Sequence, residues 1–192
     1  MIGAITAGLL GAGGGGSGGA NSFESIATVT ATGGEASFTF SSIPSTYKHL
    51  QIRGIARTTA AIGGVAECYW RANADGGANY AYHRLYGDGT SVVATGIASQ
   101  TEIQFGPYQA GSGTTAGTYG SAIIDIVDYA STSKNKTFRI LQGLDANTAS
   151  TNFRVAANSG VWLSTSAISS LTVYGAAAFA AGSTFALYGI KG

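Results

Sequence analysis

The groups that could act as bases, nucleophiles or metal ligands near neutral pH are few in this chain. Two histidines, His49 and His83, stand at no metal-ligand spacing from a Cys, Asp or Glu, so neither has a visible partner to orient or charge it. The single cysteine, Cys68, cannot form an intrachain disulfide. Beside Tyr69 and Trp70 it reads as a small apolar residue in a strand. Asp125 and Asp128 suggest a carboxylate pair, but residues three apart in a strand project to opposite faces, which separates them. No phosphate-binding loop, HExxH or CxxC pattern occurs. The Asp75-Gly76-Gly77 and Gly87-Asp88-Gly89 segments are explained by turn chemistry without calcium. These residues predict no catalytic group, no metal and no cofactor.

One pattern does suggest recognition. In Asn79–Tyr86 the side chains of Tyr80, Tyr82, Arg84 and Tyr86 share one face of a strand, with Ala81, His83 and Leu85 on the other. Flat amphipathic rings beside a guanidinium suit either a subunit contact or a glycan platform. Tyr108 opens a glycine- and serine-rich segment, Tyr108–Gly117, that reads as an exposed loop and joins them as a candidate recognition or subunit-contact residue.

The elements that must carry these residues are strands. The stretch Ser41–Arg57 (SSIPSTYKHLQIRGIAR) joins a proline turn to a strand in which Leu50, Ile52, Gly54 and Ala56 face one way. His49, Gln51, Arg53 and Arg57 face the other way, with Ile55 the apolar exception. Phe23–Thr30 and Ala36–Phe40 alternate on either side of Thr32-Gly33-Gly34 and read as a hairpin. Tyr119–Tyr129 is apolar on both faces, which predicts a central strand. Val92–Ser99 reads as a loop or weak strand, and Phe138, Ile140 and Leu144 share one side of Lys136–Asp145. About ten or eleven short strands without an amphipathic helix predict an all-β fold, an antiparallel, jelly-roll-like β-sandwich over residues 21–192.

Residues 1–20 have a different texture. MIGAITAGLL is apolar yet far shorter than the roughly 20 residues a bilayer span needs, so no membrane insertion is expected. It precedes GAGGGGSGGA, the composition of a flexible leader. The pair reads as an anchor and tether, with Ile2, Ile5, Leu9 and Leu10 docking on a partner. Ten basic and nine acidic residues give a net charge of +1, which offers no field to attract nucleic acid. Charged residues make up only 10% of the chain against the usual quarter, so much of its surface is expected to be covered by copies of itself or by partners.

Five blocks carry a resemblance: SFESIATVT (22–30), SSIPSTYKHLQIRGIAR (41–57), YHRLYGDG (82–89), IIDIVDYASTSKNKT (123–137) and FALYGIKG (185–192). Together they resemble virion structural proteins of tailed bacteriophages, of the tail-fibre or minor structural type. The resemblance implies a non-enzymatic virion component that is commonly a symmetric β-rich oligomer. The expectation is then a homotrimer, located on the phage particle at the tail, fibre or capsid surface and attached to other virion proteins through residues 1–20. A capsid decoration protein and a module that binds host-surface glycan are the alternatives.

Overall fold

The computed structural model describes residues 22–104, 106–145 and 153–192. The expected docking residues Ile2, Ile5, Leu9 and Leu10 lie outside them. Among the described residues, fourteen strands follow in chain order. They begin with β1 (Phe23–Thr30), β2 (Ser37–Phe40), β3 (His49–Arg57), β4 (Val65–Ala66) and β5 (Cys68–Ala72). Next come β6 (Tyr80–Gly87), β7 (Val92–Gln100), β8 (Ile103–Gln104), β9 (Gln109–Ala110) and β10 (Gly120–Val127). The last are β11 (Lys136–Leu144), β12 (Arg154–Trp162), β13 (Leu171–Gly175) and β14 (Thr184–Ile190).

Two antiparallel sheets divide them. The large sheet, of ten strands, runs β1-β14-β3-β10-β11-β12-β6-β7 along its main path, with β9 in parallel beside β3 and β4 beside β9, and the small one runs β2-β13-β5-β8. The first four neighbours of the large sheet and all four of the small sheet alternate along the chain as in a double-sheet jelly roll. Two hairpins are inserted into that plan: β6 and β7 between β5 and β8, and β11 and β12 between β10 and β13. Their inner members, β12 and β6, pair without a break from Val155↔Gly87 to Trp162↔Tyr80. This ladder widens the large sheet well beyond the small one.

Side-chain alternation decides what lies between the sheets. Leu50, Ile52 and Ala56 of β3 point inward with Ile124 and Ile126 of β10, Phe138 and Ile140 of β11, and Phe185 and Leu187 of β14, and all are buried. Across from them Trp70 of β5 meets Phe185 edge-on at 6.1 Å, and Phe179 meets it at 5.2 Å. The Phe185 ring lies so flat on β3 that a Cβ at Gly54 would stand 2.8 Å from its Cδ1. Here glycine is required by the ring beside it rather than by its dihedral angles.

The structure corrects three expectations. Phe23–Thr30 and Ala36–Phe40 do not form a hairpin: β1 pairs with β14 in the large sheet and β2 with β13 in the small one. Between them the Glu35 carboxylate accepts hydrogen bonds from Thr32 N, Thr32 Oγ1 and Gly33 N. With Gly33 and Gly34 at positive φ, the connection folds as a crossover between sheets. Val92–Gln100 is a full strand, and the Tyr108–Gly117 segment is an exposed loop only in its later part, where Ser112, Gly113, Thr115, Ala116 and Gly117 are exposed. Tyr108, Gln109 and Ala110 are buried, with β9 beside β3 in parallel register. The Arg57 guanidinium donates to the carbonyls of Ser112, Thr114, Thr115 and Thr118 and so organises the rest.

Because Phe185 touches both sheets, Phe185→Ala is expected to cost about 3–5 kcal/mol. A denaturant midpoint unchanged by that substitution would show that this seam does not hold the sandwich together.

Candidate functional site

The tyrosine face predicted on β6 exists, but it points into the protein. Tyr80, Tyr82 and Tyr108 are 0%, 3% and 0% exposed, which corrects the expectation of a recognition or subunit-contact face. The reason is that β6 joins the large sheet with this side toward the small one, where β8 packs against it. Tyr80 stacks on Trp162 at 6.3 Å, and its hydroxyl accepts from Ala72 N at 3.0 Å. Burial pushes its hydroxyl up to about 12. The Tyr82 hydroxyl donates to Gln104 Oε1 at 2.6 Å, tying β6 to β8. Tyr108 is likewise pushed up to about 12, by burial and by the nearby Glu67.

Arg84 and Tyr86 belong to a cluster at the inner end of the sheet. Arg84 Nη1 donates to Glu67 Oε1 at 3.1 Å, and Arg154 approaches the same oxygen at 3.9 Å. Both guanidinium groups lie over the Tyr86 ring, 4.6 Å and 4.9 Å from its centroid. Burial raises the Glu67 carboxyl despite its two cationic neighbours. The side-chain amides of Gln109, Gln142 and Asn158 are buried without a hydrogen-bond partner among the described residues. With its salt bridge enclosed, the cluster reads as interior polar packing.

The turn carboxylates are structural. Asp75 accepts from Gly77 N, Asn79 Nδ2 and Trp162 Nε1. Asp88 accepts from the backbone of Thr90 and Ser91. Among the described residues no group of three or more His, Cys, Asp or Glu is arranged to hold a metal. Asp125 and Asp128 lie apart as expected: Asp125 meets Gln51 and Arg139, whereas Asp128 meets Lys48 and Lys134. His49 Nδ1 accepts the Asp128 backbone N–H at 3.0 Å.

The surface feature that residue-by-residue reading missed is the outer face of the large sheet. Ladder register aligns Arg53, Ile123, Leu141, Ala157 and Leu85 across five strands. Beside them a second row runs Ile55, Ser121, Gly143 and Val155. Leu141 and Val155 are 59% and 63% exposed, and Ile55, Ile123 and Leu85 are exposed too. Large side chains alternate with Ser121, Gly143 and Ala157, leaving an apolar groove of about 700 Å³ along the first two rows. A second concavity of about 570 Å³ continues it past Leu85, Ala94 and Gly96.

The groove is bordered by a polar row, Gln51, Asp125, Arg139, Ser159 and His83. Gln51 donates to Asp125 at 2.8 Å, Arg139 donates to it at 2.7 Å, and Arg53 donates to Gln51 at 2.9 Å. Burial pushes the Asp125 carboxyl up, but the hydrogen bonds from Gln51 and Arg139 outweigh it and hold it below the usual range. The sequence signals of this face were the apolar exception at Ile55 and the strand of Tyr119–Tyr129, apolar on both faces, which carries Ile123. Compared with known proteins, the chain matches no family model, no curated protein and no solved structure.

Two outcomes are expected. Asp128 is lowered from 3.8 to about 2 by Lys134 and Lys48, so its ionised form adds stability that is present above its unfolded value and lost as pH falls through about 2. Asp128→Asn should therefore lower the melting temperature at neutral pH, with the difference from wild type narrowing in acid; a gap as wide at pH 2 as at pH 7 would contradict this. Replacing the unpartnered Gln142 amide by Met should raise stability by about 1 kcal/mol. A loss on that substitution, measured by urea unfolding, would mean that the amide is satisfied in solution.

Proposed function

We propose that this chain is a non-enzymatic structural module of a tailed-phage particle, of the fibre or tail-associated kind, which works by assembling with copies of itself. The observation that carries this reading is the broad outer face of the large sheet, where Ile55, Leu85, Ile123, Leu141 and Val155 remain exposed on a chain with few charges. Isolated apolar side chains on a surface need no explanation, but several aligned across neighbouring strands mark a contact surface. The five sequence blocks that resemble virion structural proteins supply the particle context. Residues 1–20 are the attachment to other virion proteins in this reading, and the body is a homotrimer.

Attachment of the body to host-surface glycan through Tyr80, Tyr82 and Tyr108 loses its support, since those rings are enclosed. The width of the large sheet, eight strands, also suits a decoration protein lying against a capsid. Copy number separates the two: a few copies per particle for a fibre, very many for decoration.

The test is antibody labelling of purified virions together with quantitation of the chain. Label at the tail or fibres is expected, and removal of residues 1–20 should abolish incorporation while leaving the body folded. A chain missing from purified particles would end the proposal.

A further inference from the structure

We propose that the outer face of the large sheet is the contact between copies of this chain, centred on Leu141, Ile123 and Val155. This deepens the assembly reading above and rests on it, and it adds where the contact is centred and why another copy of the chain, rather than a different partner, covers this face.

Size is the first argument. Eight strands about 4.8 Å apart and about eight residues long present a face on the order of 1,000 Å². A stable interface needs roughly 800 Å² from each partner, so the face is large enough without help from any other element.

Relief is the second. Exposed Leu141, Ile123 and Ile55 stand above a floor of Ser121 and Gly143, and the groove between them holds about 700 Å³. A surface carrying both ridge and groove can seat the ridge of one copy in the groove of the next, the self-complementarity that a symmetric contact requires.

Charge is the third and selects the occupant. Asp125 is engaged by Gln51 and Arg139 of its own sheet, and Arg53 by Gln51 together with the Phe23 and Tyr188 rings. The face therefore makes no demand for an acidic or basic partner. Its natural complement is apolar at the centre with internally paired charge at the border, which is what the same face of another copy offers. A sugar would need ring platforms in the groove, but the outward rings Phe23 and Tyr188 stand on the flanking β1 and β14 under Arg53, and the outward positions of β3, β10, β11, β12 and β6, which form the groove, carry no Phe, Tyr or Trp.

The test uses the full chain. Sedimentation velocity of wild type should show an oligomer whose number reports the symmetry. Leu141→Lys, at an exposed position that leaves the core intact, should weaken association roughly tenfold or more. Thr39→Lys, exposed on the small sheet, should leave it unchanged. In parallel, Leu141→Cys places a thiol on the face while native Cys68 stays buried. Its maleimide labelling in the oligomer should be slower than that of Thr39→Cys by roughly tenfold or more.

An oligomer that survives Leu141→Lys and labels equally at both thiols would overturn this face and leave assembly standing. A wild-type chain that stays monomeric at the highest soluble concentration would overturn both readings and leave the face to a different partner.

Discussion

The ladder between β12 and β6 is the constraint from which most other features follow. It joins two hairpins inserted far apart in the chain, and its register runs unbroken from Val155↔Gly87 to Trp162↔Tyr80. Without it the large sheet would end at β12, and the β6–β7 hairpin would stand apart as a two-stranded flap with an unpaired edge and too little apolar contact to stay ordered. With it, the jelly-roll half and the inserted half become one surface. Tyr82 then reaches Gln104 on the opposite sheet, and Trp162 stacks on Tyr80.

Widening one sheet more than its partner has a cost in polar chemistry. Where the small sheet no longer lies opposite, the inner face carries Arg84, Gln142 and Asn158 instead of a purely aliphatic row. Glu67 answers the guanidinium groups of Arg84 and Arg154, and Tyr86 supplies a ring beneath them. The buried amides that lack partners are the remaining mismatch. The sandwich is thus tightest where Trp70, Phe179 and Phe185 meet and most polar at its overhanging end.

The same widening creates the surface on which the functional reading depends. Each central strand sends apolar residues both ways, so β10 buries Ile124 and Ile126 while exposing Ile123 and Val127. A strand apolar on both sides is expected at the centre of a sheet covered on both faces. Within the described residues one face of this sheet remains open, and in the proposed assembly another copy of the chain covers it.

Strand content, the two-residue alternation and the inward set on β3 and β11 were legible from residues alone, because side-chain direction in a strand is a local property of the backbone. That Asp125 and Asp128 take different partners was legible for the same reason. Partner choice was not: β1 and β2 alternate as a hairpin would, yet each pairs with a strand more than a hundred residues away. Nor was the sign of the β6 face, since Tyr80, Tyr82, Arg84 and Tyr86 share a side whichever way it turns. Alternation groups residues onto a face, but only the packing of the second sheet decides which face is inside, because that choice is made by long-range contacts that no local spacing encodes.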